Sequence, residues 1–230
     1  MIQAGTTVGD LAGTLEIRSE ETALISELKA GSEQAFALLI AQYHQSLYSI
    51  IARSLQDPAD AADVTQDVFI KVFRGIRGFH GNSSLRTWLY RIALREASNQ
   101  RRWWTRHKKQ DIALDAGVAG DDDSECLCLR DTLPALDVSP FDHAAQQEVR
   151  IRVEAALRKL PEPFRTVVVL REIEGFAYDE IAEILDVNIG TVKSRLTRGR
   201  STLKKLLLDS QKHIPQQAHA QTRQLQEAVR

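Results

Sequence analysis

The stretch DVNIGTVKSRLTRGR, residues 186–200, concentrates side chains able to grip an anion or read a base edge. Lys193, Arg195, Arg198 and Arg200 supply cations. Thr191, Ser194 and Thr197 supply hydroxyls, and Gly190 keeps the start of the segment slim. No Cys, no His and no acid beyond Asp186 occurs in it, so neither metal binding nor acid–base catalysis fits. An arginine can take a guanine edge bidentately, and Lys or Thr can hold phosphate. The plainer reading is a soluble amphipathic helix with a solvated basic face. The residues before it favour the sharper reading. YDEIAEIL carries an apolar stripe in which Ile181 and Leu185 should face inward. Ala182 is small enough for a close helix crossing, Asp186 and Val187 suit a tight turn, and Asn188 can cap the next helix. Val192, Leu196 and Leu203 then form a buried stripe. At about 100° per residue it leaves Gly190, Thr191, Ser194, Thr197, Arg198 and Ser201 outward, flanked by Lys193 and Arg195. This is a helix-turn-helix suited to a DNA groove.

A second constellation lies in 78–109. Arg86, Tyr90, Arg91, Arg95, Asn99, Arg101, Arg102, Trp103 and Trp104 interleave cations with aromatics. That mixture suits a single strand, whose bases stack on rings while cations hold its backbone. The preceding loop offers Phe79, His80, Gly81, Asn82, Ser83 and Ser84, small and polar enough to pocket an unstacked base. Trp88 reads as core, whereas Trp103 and Trp104 fit either packing at a domain end or nucleic acid. A third feature has the opposite sign. Asp60, Asp63, Gln66 and Asp67 recur at three and four, so they share one helix face opposite Val64 and Val68. Acids beside a DNA-binding helix would repel DNA, so this face is expected to meet a protein.

The elements that position these groups are helices. Leu24, Ile25, Leu28, Phe36, Leu39, Ile40, Tyr43, Leu47, Ile50 and Ile51 recur with helical spacing from about residue 22. In DPADAADVTQDVFIKVF, Asp57 can cap and Pro58 suits the first helical position, with Val64, Val68, Phe69, Val72 and Phe73 as the apolar stripe. Ser83 or Ser84 can cap a helix that buries Leu85, Trp88, Leu89 and Ile92. After a Gly-, Asp- and Pro-containing stretch, helical pattern returns near 145. It breaks at PEP and at Gly175, and Ala177 stands where Ser or Thr would cap the next helix. No strand pattern persists. The reading is all-α: a disordered extension (1–22), a helical domain (23–107), a flexible linker (108–144), a helix-turn-helix domain (145–208) and a Gln-rich tail (209–230).

Composition narrows the classes. The 230 residues carry a formal net charge of −1, with 27% charged. That neutrality hides segregation. Residues 86–109 hold eight Lys/Arg and one acid, 193–205 hold six and none, and 111–142 hold nine Asp/Glu and one Arg. Two basic modules are thus joined by an acidic strap. No apolar run is long enough to span a bilayer, and the N-terminus lacks the basic start and apolar core of a secretion signal. A cytoplasmic location is expected. Cys126 and Cys128 form a C-x-C pair read as reduced thiols, because two thiols alone cannot close a zinc site. No metal, cofactor or catalytic residue is expected: the acids lie on amphipathic helices, with no nucleophile–base set among them.

Taken together, DAADVTQDVFIKVF, TWLYRIA, LPEPFRTVVVLREIEGFAYDEIAEIL and GTVKSRLTRGR occur in an order that resembles the extracytoplasmic-function (ECF) sigma factors of bacterial RNA polymerase. The resemblance covers about 23–208. It implies that 23–107 is a sigma domain 2 bundle, which grips core polymerase and captures the melted −10 element. It implies that 145–208 is a sigma domain 4 helix-turn-helix, which reads the −35 element. Polymerase contact would fall on Asp60, Asp63, Gln66 and Asp67. Contact with the −10 strand would fall on Phe79, His80, Asn82, Ser83, Ser84, Arg86, Tyr90, Arg91, Arg95, Asn99 and Arg102. Contact with −35 would fall on Asn188, Thr191, Lys193, Ser194, Arg195, Arg198 and Arg200. The implied partners are core RNA polymerase, promoter DNA and an anti-sigma factor, without membrane insertion. The acidic strap, with Asp121, Asp122 and Asp123, would imitate nucleic-acid charge in a polymerase channel. Two positions depart from the family pattern. Ala177 replaces a Ser-like cap, and Arg95 replaces a smaller polar residue. The competing reading is a stand-alone helix-turn-helix regulator, which leaves the acidic face and the aromatic–basic helix without a task.

Overall fold

The structure is a computed structural model that describes residues 20–55, 58–111 and 140–212. Among the described residues every regular element is helical. In chain order these are α1 (20–30), α2 (Glu33–Ser54), α3 (Pro58–Gly75), α4 (Leu85–Asp111), α5 (Pro140–Lys159), α6 (Glu162–Val168), α7 (Tyr178–Leu185) and α8 (Ile189–Lys212). The chain divides into two compact units, one with 20–111 and Asp179–Val187, the other with 140–178 and 188–212.

The apolar period that begins near residue 22 is two helices rather than one run. Gly31 turns at φ +85°, where a Cβ would be strained. The N–H of Gly31 reaches the Leu28 carbonyl and that of Ser32 the Glu27 carbonyl, which closes α1 with a Schellman motif. Ser32 then starts α2, its hydroxyl accepting from the Ala35 N–H at 3.3 Å. Helices α2, α3 and α4 contact one another pairwise around one core. Its members are Leu39, Leu47, Ile50 and Ile51 from α2, Ala61, Val64, Val68 and Val72 from α3, and Leu85, Leu89, Tyr90, Ala93 and Ala97 from α4. The stripe expected on α3 is therefore narrower than the sequence suggested. Phe69 is half-buried, and Phe73 is 60% exposed with its ring 4.8 Å from that of Phe36. Tight packing of α3 against two helices favours valine and alanine along the seam, which pushes the larger rings to its rim.

Helix α4 is held at its start from two sides. Ser84 is the cap, accepting from the Thr87 N–H at 3.0 Å, and Glu21 of α1 accepts from the Leu85 N–H at 2.6 Å. A carboxylate at a helix N-terminus is favoured by the helix dipole. Burial, and then the Glu21 charge, raise the Tyr43 hydroxyl above its ordinary pKa. Trp88 and Ile92, expected in the core, are half-buried and buried less than Leu85 and Leu89 respectively. Trp88 covers Phe79 at 5.2 Å and lies against Gly75.

In the second unit α6 and α5 both contact α8. Leu157, Leu160, Val167, Val168, Leu170, Phe176, Val192 and Leu196 are buried. Gly199 is what lets α8 lie so close to α6: a Cβ there would meet Val168 Cγ2 at 2.7 Å and the Phe164 carbonyl oxygen at 3.3 Å. Helix α6 passes into a π turn over Val169–Ile173, with the Glu174 N–H bonding the Val169 carbonyl at 3.0 Å. Gly175 at φ +75° then ends it.

Some boundaries differ from the sequence reading. Helix α4 runs to Asp111, α5 begins at Pro140 and α8 continues to Lys212, so helix extends into both ends of the expected linker and into the expected tail. The expected Asp57 cap, the Cys126/Cys128 pair, Asp121–Asp123 and most of the N-terminal extension and Gln-rich tail lie outside the described residues.

Candidate nucleic-acid interface

The turn into α8 is set by two side chains. Asp186 adopts φ 53°, a conformation that aspartate tolerates better than most residues. The Val187 N–H bonds the Ala182 carbonyl at 3.0 Å, which ends α7 with the same six-residue closure that ends α1. Asn188 caps α8: its Oδ1 accepts from the Thr191 N–H at 2.8 Å and from the Thr191 hydroxyl at 2.9 Å. Its amide NH2 is the group the cap does not use, and the residue is exposed. Gly190 sits so close to this cap that a Cβ would lie 3.3 Å from Asn188 Oδ1.

Beyond the cap the expected face is in place. Lys193, Ser194, Thr197 and Arg198 are exposed, and Thr191 and Arg195 are half-exposed. Ser194 and Thr197 donate to the carbonyls of Thr191 and Lys193, each at 3.0 Å, so their hydroxyl oxygens can still accept from an incoming group. Arg200 stands apart from the others. Its Nε donates to Glu172 Oε1 at 2.9 Å, and Nη2 donates to the same oxygen. The Glu172 hydrogen bond raises the Arg200 pKa. The apolar side matches less closely. Val192 and Leu196 are buried and Leu203 is half-buried, and on α7 it is Ile181 and Ile184, not Leu185, that are buried. Leu203 lies one turn beyond Gly199, where α8 lies tight against α6.

The 78–104 constellation sorts into an outward and an inward set. His80 and Asn82 are exposed and Ser83 is half-exposed, with Gly81 at φ +72° turning the loop. Arg91 and Arg95 are exposed one turn apart on α4, Asn99 is exposed one turn further on, and Arg102 is exposed. Two expected contacts are corrected. Tyr90 is 0% exposed, because its position on α4 faces α2 and α3 rather than solvent. Phe79 is 5% exposed under Trp88. Neither ring offers a face to a base. Arg86 is half-buried with its guanidinium 5.5 Å from the Tyr90 ring, and Ser84 is engaged as a helix cap.

The outward side of α4 is wired to α3. Lys71 pairs with Glu96, Asn99 Nδ2 donates to Glu96 at 3.5 Å, and Arg102 donates to Asn99 Oδ1 at 2.6 Å. An open cleft of about 330 Å³ runs beside this chain of contacts, lined by Val64, Asp67, Glu96, Asn99, Gln100 and Trp103. Trp103 is 48% exposed, meets Trp104 edge-on at 5.3 Å and stacks on His107 at 4.3 Å.

On α3, Asp63, Gln66 and Asp67 are exposed and Asp60 is half-exposed, as their spacing requires. The sequence reading missed two apolar neighbours of this face. Ile70 and Phe73 continue the same side of the helix, 40% and 60% exposed, so the acidic face turns apolar toward its C-terminal end. The i, i+3, i+7, i+10 spacing from Asp63 was the available signal. Among the described residues no helix is long and apolar enough to cross a membrane.

The family model described as "Sigma-70 region 2" matches residues 39–107, and that described as "Sigma-70, region 4" matches 150–203. The ECF RNA polymerase sigma factor SigW of Bacillus subtilis is 37% identical over 185 residues, covering 80% of this chain and 95% of its own. The RNA polymerase sigma-H factor of Pseudomonas aeruginosa is 33% identical over 190 residues, covering 83% and 95%. Among solved structures, CnrH in complex with the cytosolic domain of CnrY aligns with a TM-score of 0.57 at 25% identity, covering 83% of this chain and 97% of that one. The sigma factor RpoE of Bartonella quintana, solved with the anti-sigma factor NepR, shares the fold at 23% identity with a TM-score of 0.56, covering 75% and 96%. With two region models matched in order and full-length relatives above 30% identity, the chain belongs to the ECF sigma factors, in the sigma-70 family of bacterial RNA polymerase.

Proposed function

We propose that the chain binds bacterial core RNA polymerase, directs it to specific promoters and assists their melting, with duplex reading and strand capture assigned to different helices. The observation that carries this is the pairing of two unlike cationic faces in one chain. The α8 face is slim, capped and free of acids from Lys193 to Lys205. That suits the major groove of the −35 element, with Asn188, Thr191, Lys193, Ser194, Arg195 and Arg198 as contacts. The α4 face combines Arg91, Arg95, Asn99 and Arg102 with exposed Trp103 and the His80–Ser83 loop. That suits an opened −10 strand.

Polymerase would meet α3 through Asp60, Asp63, Gln66 and Asp67, extended by Ile70 and Phe73. Exposed apolar side chains continuing from an acidic stretch on one helix face suit a protein-binding patch. The same surface is one that an anti-sigma factor would have to cover. A cytoplasmic location is implied by the polymerase partner. The chain supplies no catalysis, since nucleotidyl transfer belongs to the polymerase.

Transcription in vitro tests this reading. Core polymerase with the chain should initiate on a subset of a random promoter library, and core polymerase alone should not. Transcripts that do not depend on the chain, or promoter protection by the chain without polymerase, would favour a stand-alone regulator.

A further inference from the structure

Arg200 lies seven residues beyond Lys193, two helical turns, so both point to nearly the same side of α8. By position Arg200 should add a phosphate grip at the far end of the face. Its partner argues otherwise. Glu172 reaches from the π turn and takes both Nε and Nη2 on one oxygen. That is the fork edge with which a guanidinium grips phosphate bidentately. Both side chains remain about half exposed, 50% for Arg200 and 44% for Glu172, so the pair stands on the surface within reach of a docking duplex. Lys193, Arg195 and Arg198 take part in no ion pair found among the described residues.

We propose that Glu172 is a specificity-determining residue: its carboxylate occupies the gripping edge of Arg200 and withholds this cation from indiscriminate phosphate contact. The proposal rests on the reading of α8 as the −35 helix. Non-specific binding comes almost wholly from phosphate neutralisation, and each contact steepens the salt dependence by about 0.9. A helix sliding on unmatched DNA can adjust until a phosphate lies under any loose cation. A helix fixed by base contacts cannot. Tying Arg200 to Glu172 therefore weakens the unmatched complex more than the matched one, and the ratio between them rises. Glu172 also places a negative charge where the backbone would pass, which adds to the same bias.

The test uses holoenzyme, core polymerase bound to the full-length chain, with two labelled duplexes. One carries a promoter selected by the holoenzyme, and the other carries its scrambled sequence. Affinities are measured from about 50 to 200 mM salt. Glu172→Gln should bind the scrambled duplex about threefold or more tightly at the low-salt end. Its log–log salt slope should steepen by about 0.9, so its loss of affinity across that range is about 3.5-fold larger. Affinity for the promoter should change by less than about twofold, on the same counting of contacts. Arg200→Gln alone should keep the wild-type slope, and the double variant should return to it. Unchanged melting temperatures show that folding is intact. The inference is overturned if Glu172→Gln leaves the slope unchanged, if Arg200→Gln alone flattens it by about one contact, or if the double variant keeps the steeper slope. A wild-type holoenzyme that binds the promoter no more tightly than its scrambled sequence removes the −35 reading of α8 itself, and the inference with it.

Discussion

The outward sides of α4 and α8 carry the same kind of charge in different company. On α4 one cation belongs to a network: Lys71 of α3 and Glu96, Asn99 and Arg102 of α4 hold one another, with Trp103 beside them. On α8 the cations from Lys193 to Arg198 stand without ion pairs among the described residues, and the neighbouring hydroxyls of Ser194 and Thr197 bond to carbonyls of their own helix. Preorganised, aromatic-flanked cations suit a floppy single strand, whose ordering the protein must bring about. Open cations on a slim helix suit a rigid duplex that arrives already shaped. A count of basic residues does not identify a nucleic-acid partner; what braces them does.

Five predictions probe that contrast, in descending order of effect. Gly199→Val should destabilise the second unit by about 1–3 kcal/mol or more, because the added side chain drives into stiff, buried Val168. Melting should fall and −35 binding with it, while single-strand binding by the first unit persists. Arg198→Ala should weaken binding to a −35 duplex. The loss is about 1–3 kcal/mol if it reads a base, or a salt slope lower by about one if it holds phosphate. A −10 single strand should not register the change. On α4, Trp103→Ala should cost about 1–3 kcal/mol of affinity for a −10 oligonucleotide presented to holoenzyme. As its control, Tyr90→Phe should leave that affinity unaltered, since the Tyr90 ring is shut inside the core. Asn188→Ala removes a cap with two bonds and should lower stability by about 1 kcal/mol, read by thermal melting. Ala177→Ser adds a cap before α7 and should raise the melting temperature slightly, by at most about 1 kcal/mol of stability.

The all-α class, the caps at Ser84 and Asn188, the turn at Asp186 and the exposed sides of α3 and α8 were legible in the sequence. Each depends on local chemistry or on period alone. What escaped the sequence depends on tertiary neighbours. Tyr90 carries a polar tip and sits among arginines, so its type suggests a surface, but α2 and α3 close over it. Phe73 looks like core by type and lies exposed at a rim. Ile184 and Leu185 are adjacent on α7, and only packing chooses between them. Arg200 reads as one more free cation until a residue 28 positions earlier is found holding it. Gly199 interrupts a basic run without comment in the sequence, and only the distance to Val168 explains it.

The π turn at Val169–Ile173 has a consequence for direction. A π turn fits one more residue into its loop than an α turn does. Were the same sequence wound as plain α-helix, everything after the bulge would swing about the axis by something near 100°. Glu172 would then aim elsewhere, and Phe176 would arrive at the core along another heading. One surplus peptide unit thus works as an angular offset, setting where an acid points and how the ring after it is delivered.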